Sequence, residues 1–133
     1  MADLSINLGD IFLVDTGGQK NHWYIAIAPL SSNDFLFVNI STWHEGSSDN
    51  DGTCILKPAA RMPGFINRKS FLAYKFARSY TADQLEKLIV PNSDLPYDTL
   101  EPQILRRVQR ESLNARNLKK KYLNALRAYL GVS

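Results

Sequence analysis

Polar and cationic side chains recur at the ends of the predicted strands and in the turns beside them. Lys20 and His22 lie around the first turn. Ser41 and Thr42 follow the third predicted strand, and Arg68 precedes the last one. RNA is cleaved without a metal when its own 2′-OH attacks the phosphorus, because the protein then supplies only a base, an acid for the 5′ leaving oxygen, and groups that hold the phosphorane. These five side chains are candidate catalytic residues for such a cleavage.

A second set of side chains has the chemistry to bind nucleic acid. Trp43 opens a long polar loop beside His44, so an aromatic face and an imidazole can meet one nucleotide there. Basic residues near the end of the chain suit contacts with phosphates. Each of these residues also has an ordinary explanation as a turn residue, a solvated loop residue or a surface charge. The candidate nucleic-acid-binding residues are Trp43, His44, Lys69, Ser70, Tyr74, Arg106, Arg110, Lys119 and Lys120.

Motifs for nucleotide-dependent or metal-dependent chemistry are absent from the sequence. The paired glycines Gly17 and Gly18 lack the Lys-Ser/Thr that would complete a phosphate-binding loop, and there is no GxGxxG or GxSxG motif. Cys54 and the two histidines do not have the spacing of a preorganised metal site. No metal and no cofactor is therefore expected, and Cys54, in an apolar strand, is predicted to be a buried, inert thiol.

Short apolar runs separated by turn formers predict successive antiparallel strands in the first part of the chain. Residues 44–52 are too many and too polar for a hairpin turn, so they are predicted to form a surface loop. About five short strands favour a small, strongly bent antiparallel sheet or a closed barrel. The predicted strands are residues 11–14, 22–28, 35–40, 53–56 and 71–76, with 65–66 as a further short one.

The apolar period becomes helical beyond residue 80. Thr81 and Gln84 have the spacing of a capping box, which predicts a short helix to about residue 90. Pro102 suits the first turn of a second helix, and nothing breaks its pattern before Gly131. The sequence thus predicts an α+β fold in which the bent sheet is followed by a short helix and a long, amphipathic, basic C-terminal helix.

Charge is divided unevenly along the 133 residues. Residues 1–100 hold 8 basic and 11 acidic side chains, a net −3, while residues 101–133 hold 8 and 2, a net +6. The split suggests a basic helix facing a polyanion, most simply nucleic acid, with an acidic protein or a membrane surface as alternatives. The predicted organisation is a β-barrel domain with the short helix at 1–90, and a linker and C-terminal helical extension of the same domain at 91–133.

Several classes of protein are excluded by composition. No apolar run approaches the roughly 20 residues that span a bilayer, and the first residues lack the basic flank and apolar core of a secretory signal. The single cysteine allows no internal disulfide. A cytoplasmic protein with no membrane association is the expectation.

The order of these elements resembles the PemK/MazF toxins of type II toxin–antitoxin systems. The resemblance spans roughly residues 8–90 and rests first on the opening segment 9–15, with sequence GDIFLVD. A loop with a basic residue follows, then the strands at 23–28 and 35–42, the second of which ends in a hydroxyl side chain, and then segment 65–70 and a helix. The resemblance implies an SH3-like barrel, usually a homodimer, that is a metal-independent endoribonuclease acting on single-stranded RNA and neutralised by a small acidic antitoxin.

The family's functional positions fall on particular residues of this chain. Its basic position in the first loop, where an Arg followed by Pro is typical, falls at Lys20 or His22. Its strand-end hydroxyl falls at Ser41 or Thr42, and its polar, often acidic, later position falls at residues 67–69, where this chain has no acid. The loop Arg and the later carboxylate are thus both missing.

Two alternatives to a ribonuclease toxin remain open from the sequence. One is a barrel that binds nucleic acid without cleaving it, with exposed aromatic rings stacking on bases and the basic helix gripping phosphates. The other is a protein-interaction module in which the C-terminal helix docks an apolar stripe on a partner or on a second copy. The stripe consists of Ala115, Leu118, Tyr122, Ala125, Leu126 and Tyr129.

Overall fold

A computed structural model of the chain describes residues 4–132. It contains six strands and three helices within that range, in an α+β arrangement. In chain order these are β1 (Asp10–Val14), β2 (His22–Pro29), β3 (Asp34–Thr42), β4 (Ile55–Leu56), β5 (Ser70–Thr81), α1 (Ala82–Leu88), β6 (Asp98–Thr99), α2 (Pro102–Ser112) and α3 (Lys120–Leu130).

The strands form one antiparallel sheet that curls into a half-barrel, in the order β4-β5-β3-β2-β1-β6. The strongly bent antiparallel sheet predicted from the sequence is therefore present, with two-residue strands at both edges. Short edge strands limit pairing with other chains, so the sheet is protected without full closure. Residues 65–66 are not a strand, and β6 lies in the segment that the sequence pattern assigns to a linker.

Strand β5 bulges outward in its middle. Phe37 of β3 pairs with Arg78 of β5, whereas Asn39 pairs with Ala73, so residues 74–77 stand opposite the single residue Val38. Such an insertion leaves residues without ladder partners and redirects their side chains. The bulge gives β5 a length of 12 residues, against the six predicted from the apolar pattern.

The sheet carries apolar residues on both sides. On one side, here called the α2/α3 side, Ile25, Ile27 and Leu72 pack with Val108 of α2 and Leu126 of α3. On the other side, Phe12, Tyr24, Phe37 and Tyr80 pack with Leu85 of α1. Neighbouring residues of a strand point to opposite sides of the sheet. The residues that alternate with Ile25 and Ile27 along β2, and with Leu72 along β5, therefore face away from α2 and α3.

The expectation of one long C-terminal helix is wrong, because the segment folds as α2 and α3 with a turn between them. Leu113 caps α2, and the amide of Ala115 donates to the carbonyl of Ser112 in the turn that follows. A straight helix over residues 102–130 would be about 45 Å long and would project beyond so small a sheet. Folding back lets Leu118, Tyr122 and Leu126 join the core.

The helix ends agree with the sequence signals. The Thr81 hydroxyl accepts from the Gln84 amide while the Gln84 side chain accepts from the Thr81 amide, which confirms the capping box. Pro102 is the first residue of α2, and Gly131 ends α3 with φ of 70°, a left-handed conformation that glycine adopts without strain. No helix between residues 4 and 132 is long and apolar enough to cross a membrane.

Candidate functional site

A cleft of about 290 Å³ opens where β2 begins and β3 ends. Five of the residues singled out from the sequence line it, although they come from two separate segments of the chain. They are brought together because β2 and β3 are antiparallel neighbours, so the start of one strand meets the end of the other. The five residues are Lys20, His22, Ser41, Thr42 and His44.

His22 and Ser41 share one row of the sheet. Val14 pairs with His22, and Trp23 pairs with Ile40, which brings His22 into register with Ser41. Ser41 in turn pairs with Phe71 of β5. Side chains that are directly opposite on one side of antiparallel strands have Cβ atoms about 5 Å apart. The row therefore places an imidazole beside a hydroxyl, on the side of the sheet away from α2 and α3.

A buried amide supports the floor of the cleft. Asn39 is 2% exposed, and its side-chain nitrogen donates to the carbonyl oxygen of Trp23 at 3.3 Å. The Ser41 hydroxyl donates to Asn39 Oδ1. A buried amide that is hydrogen-bonded on both sides holds one orientation, so Asn39 fixes the position of Ser41.

The loop after β3 is closed by its own hydrogen bonds and presents His44 to the cleft. Asn50 Nδ2 donates to the His44 carbonyl at 2.6 Å, and the His44 amide donates to Asn50 Oδ1 at 3.2 Å. The Ser47 amide also donates to the His44 carbonyl, at 3.0 Å. The two ends of residues 44–50 are therefore tied together beside the mouth of the cleft.

An ion pair connects this loop to the bulge of β5. Lys75 Nζ lies 2.6 Å from Asp49 Oδ1, and the hydrogen bond and positive charge of Lys75 hold the pKa of the Asp49 carboxyl below its usual value. Asp49 is the one carboxylate among the residues that line the cleft. Because Lys75 balances its charge, the cleft keeps the positive charge of Lys20 together with two imidazoles, a set that favours an anion such as a phosphodiester.

Segment 68–70 lies outside the cleft lining. Arg68 is exposed and its carbonyl accepts from the Ser70 hydroxyl, which is buried. Lys69 Nζ lies 4.0 Å from the centre of the Trp43 ring, and Trp43 and Phe71 form an edge-to-face pair with 5.9 Å between ring centres. The structure thus brings Lys69 and Trp43 together, and neither of them lines the cleft that holds the two histidines.

Tyr74 is not accessible to a nucleobase. It is 1% exposed, and its hydroxyl lies 2.7 Å from the Ser112 hydroxyl of α2. Ser112 donates its one hydroxyl proton to the Val108 carbonyl, so Tyr74 is the donor in the pair. Burial is the main reason that the pKa of Tyr74 is raised. Its role is to join the sheet to α2.

The basic residues near the end of the chain lie on the α2/α3 side, across the sheet from the floor of the cleft. Both helices are anchored on that side, by Leu126 and by Gln109, whose side chain donates to the Ile27 carbonyl at 2.9 Å. The apolar stripe of the helices is used in this packing, and Tyr129 is its one large member that is about half exposed. The exposed basic candidates on or beside the helices are Arg106, Arg110, Lys119 and Lys120.

Three contributors to the cleft were not identified from the sequence. Asn39 sits in an apolar strand pattern, Phe76 reads as a core residue, and the pairing of Lys75 with Asp49 joins positions 26 residues apart. A polar residue inside an apolar strand is a signal that would have found Asn39. No group of three or more His, Cys, Asp or Glu side chains within residues 4–132 is arranged to hold a metal ion.

Comparison with protein-family models gave no match to this sequence, and comparison with curated proteins gave none either.

Proposed function

We propose that the protein is a metal-independent endoribonuclease that cleaves single-stranded RNA in the cleft between β2 and β3. The observation that carries the proposal is that His22 and His44 line one cleft together with Lys20 and the hydroxyl-bearing residues at the end of β3. Histidine accepts and releases protons near neutral pH, so two imidazoles in one cleft supply a general base and a general acid.

In the proposed reaction, the substrate provides its own nucleophile. One imidazole accepts the proton of the 2′-OH as its oxygen bonds to phosphorus, and the other donates a proton to the 5′ oxygen as the bond from that oxygen to phosphorus breaks. The products are a 2′,3′-cyclic phosphate and a free 5′-OH. Lys20, which lines the same cleft, stabilises the negative charge on the phosphorane oxygens. Ser41 gives its one hydroxyl proton to Asn39, so its oxygen is an acceptor beside His22 and orients that imidazole.

The proposal is tested with purified protein and single-stranded RNA in the presence of EDTA. We expect cleavage that leaves 2′,3′-cyclic phosphate ends, and no cleavage of a strand with 2′-deoxyribose at every position. H22Q and H44Q should each lower the cleavage rate by about 10²- to 10⁴-fold, the usual contribution of a general acid or base. K20A should also lower it, whereas K87A, an exposed lysine on α1, is the matched control. Intact RNA of varied sequence, with correctly folded protein, would contradict the proposal.

We also propose that this ribonuclease is a toxin of the PemK/MazF type, with an SH3-like barrel, a homodimeric state, a small acidic antitoxin as partner and a cytoplasmic location. The support is the resemblance over residues 8–90 together with the convergence of Lys20, His22 and Ser41. The missing loop Arg means that Lys20 must supply the positive charge. Growth arrest on expression, relieved by the product of an adjacent reading frame that encodes a small acidic protein, is the expected result.

A second candidate function is nucleic-acid binding without cleavage. The observation that favours it is the set of exposed Arg and Lys side chains on the α2/α3 side, which is separate from the cleft. Binding through those residues would weaken steeply as salt rises, because phosphate contacts release counterions. Salt-sensitive binding to intact RNA, with no cleavage, would select this function over the first.

A further inference from the structure

Phe76 is an exposed aromatic side chain in the wall of the cleft. It is 44% exposed, whereas Phe71, Tyr74 and Tyr80 of the same strand are all at least nine-tenths buried. Phe76 and Tyr74 both lie in the bulge at residues 74–77, which has no ladder partners on β3, but of the two only Phe76 is exposed. The same bulge carries Lys75, which pairs with Asp49.

One side of the Phe76 ring is occupied by a cation. Lys75 Nζ lies 5.1 Å from the ring centre, and no other aromatic ring within residues 4–132 packs against Phe76. A phenylalanine on a surface has apolar area in water and no polar atom to compensate. The ring is therefore held by its neighbour in the chain while remaining available to a flat ligand in the cleft.

We infer that Phe76 is a stacking platform for one nucleobase of the RNA strand whose phosphate binds beside His22 and Ser41. This inference rests on the proposed function, since that function places RNA in the cleft. All four bases have a π-face, so stacking on phenylalanine holds a nucleotide with little dependence on sequence. Only an unpaired base can leave its neighbours to reach the ring, so the platform selects single strands over duplexes.

The two other aromatic candidates are less suitable for this role. Tyr74 is buried under α2, and Trp43 has Lys69 over its face and forms an edge-to-face pair with Phe71. Trp43 also does not line the cleft, whereas Phe76 does. The position of Phe76 in the same cleft as Lys20 and His44 is what links base stacking to the cationic groups.

The experiment measures binding with strands that cannot be cleaved, so that it is independent of catalysis. Fluorescein-labelled ten-nucleotide single strands with 2′-deoxyribose at every position are titrated with the wild type, F76A, F76L and F76W, at one salt concentration, and anisotropy gives the Kd. A matched strand that is abasic at every position removes stacking but keeps the phosphates. Y129A is the control, because Tyr129 is exposed to a similar degree on α3 and lines a different groove.

We expect F76A to bind the base-containing strand about 5- to 150-fold more weakly than the wild type, as for other stacking aromatics. F76W should retain the affinity, F76L should fall between the two, and Y129A should match the wild type. The abasic strand should bind the wild type and F76A equally. Circular dichroism of F76A checks its fold, and F76L keeps the apolar volume if the alanine variant is unstable.

Three results overturn the inference: equal Kd values for the wild type and F76A, equal wild-type Kd values for base-containing and abasic strands, or no binding of any strand by the wild type. Cleavage of unmodified RNA is assayed in parallel with the wild type. Intact RNA contradicts the proposed function but leaves a stacking effect of F76A standing. Cleavage of RNA with no effect of F76A on binding overturns the stacking inference alone.

Discussion

Lys75 Nζ lies 2.6 Å from Asp49 Oδ1, and this ion pair joins the bulge of β5 to the loop that carries His44. Hydrogen bonds between His44 and Asn50 close the loop on itself. Asp49, which lies within the loop, forms the salt bridge to Lys75 of the sheet. The pair therefore sets where a self-contained loop sits relative to the row formed by His22 and Ser41. It also fixes Lys75 beside the ring of Phe76.

Breaking this ion pair should reduce cleavage more than it reduces stability. K75M and D49N each release the loop from β5, and a displacement of His44 by about 1 Å is enough to lower the rate by on the order of 10-fold. Exposed ion pairs add little to stability, so the melting temperature should stay close to that of the wild type. Cleavage rates and thermal denaturation of both variants check this, and K87M is the matched lysine control.

The lowered pKa of the Asp49 carboxyl sets the direction in which the contribution of the Lys75–Asp49 ion pair to stability changes with pH. A carboxyl whose pKa is depressed in the folded state favours folding above its unfolded value of 3.8, and this contribution is lost as the pH falls through the folded value. The ion pair is thus intact at neutral pH. If K75M and D49N cleave RNA as fast as the wild type, the pair has no positioning role.

The neighbouring hydroxyl groups at the end of β3 are expected to contribute unequally. Ser41 lies in the row of His22 and hydrogen-bonds Asn39. Thr42 is the next residue of β3 and pairs with the buried Ser70. Because successive side chains of a strand alternate, the Thr42 side chain points to the side of the sheet opposite that of Ser41. We expect S41A to lower the cleavage rate by up to about 10²-fold, because loss of the hydroxyl that orients His22 misplaces the imidazole. T42V should cleave nearly as fast as the wild type. Single-turnover rates distinguish the two, and a larger loss in T42V would contradict this assignment.

The free energy of unfolding should fall between pH 9 and pH 10 because of one thiol. Burial is the main factor that raises the pKa of Cys54 to about 12, and the nearby Glu111 adds to the effect. In the unfolded chain the thiol loses its proton near pH 9.0, while the folded chain keeps it, so stability is full below pH 9 and decreases as the pH rises toward 12.

A decrease of about 1 kcal/mol is expected between pH 9 and pH 10 for one such proton. Urea denaturation at both pH values measures it, and C54A should show a smaller decrease over the same interval. Tyr24, Tyr74 and Tyr80, whose pKa values are raised from 10.0, add to the decrease, because each is half ionised in the unfolded chain at pH 10. The difference between the wild type and C54A therefore isolates the contribution of the thiol. An equal decrease in C54A and the wild type would show that another group is responsible. The native thiol should also resist iodoacetamide, as expected for a buried cysteine.

The sequence was most informative where local chemistry determines the structure. Thr81 with Gln84, Pro102 and Gly131 define helix ends through contacts within one turn. The meeting of His22 and Ser41 was also predictable in outline, because adjacent antiparallel strands bring the start of one to the end of the next.

Features that depend on tertiary fit were not predictable in this way. The apolar pattern from Pro102 to Gly131 is continuous, whereas the structure breaks it between α2 and α3, and the break lets Leu126 of α3 pack in the core. The bulge of β5 has no signature in residues 74–77, so the sequence predicts an accessible Tyr74, whereas the structure buries Tyr74 and exposes Phe76. Arg68 precedes β5 as expected, but being near a strand end does not fix where a side chain points.

The fold-back of α3 predicts that this helix is essential to the stability of the sheet. Leu126 is fully buried on the α2/α3 side, so L126A should destabilise the protein by about 2–5 kcal/mol through lost burial and the cavity left behind. Y129A, at an exposed site on the same helix, should change stability by less than about 0.5 kcal/mol. Urea denaturation of both variants measures the difference. Similar stability of the two variants would mean that α3 is a peripheral extension.

The basic side chains on the α2/α3 side should affect RNA binding but not the chemical step. They lie across the sheet from the floor of the cleft, so a variant with Gln at Arg106, Arg110, Lys119 and Lys120 leaves the row of His22 and Ser41 unchanged. If these four side chains contact phosphates, the slope of log Kobs against log salt should become shallower by up to about 3, at roughly 0.7 for each contact with a single strand.

The cleavage rate at saturating RNA should be the same in this variant and in the wild type. K20Q should instead lower the cleavage rate at saturating RNA. The slope of log Kobs against log salt should change in K20Q by no more than the roughly 0.7 expected for one phosphate contact. Anisotropy titrations at several salt concentrations and single-turnover cleavage separate the two effects, with K87Q as the control for loss of one exposed lysine. A lower single-turnover rate in the helix variant would contradict this prediction. It would mean that the positive charge of α2 and α3 acts at the scissile phosphate, although the sheet separates these helices from the floor of the cleft.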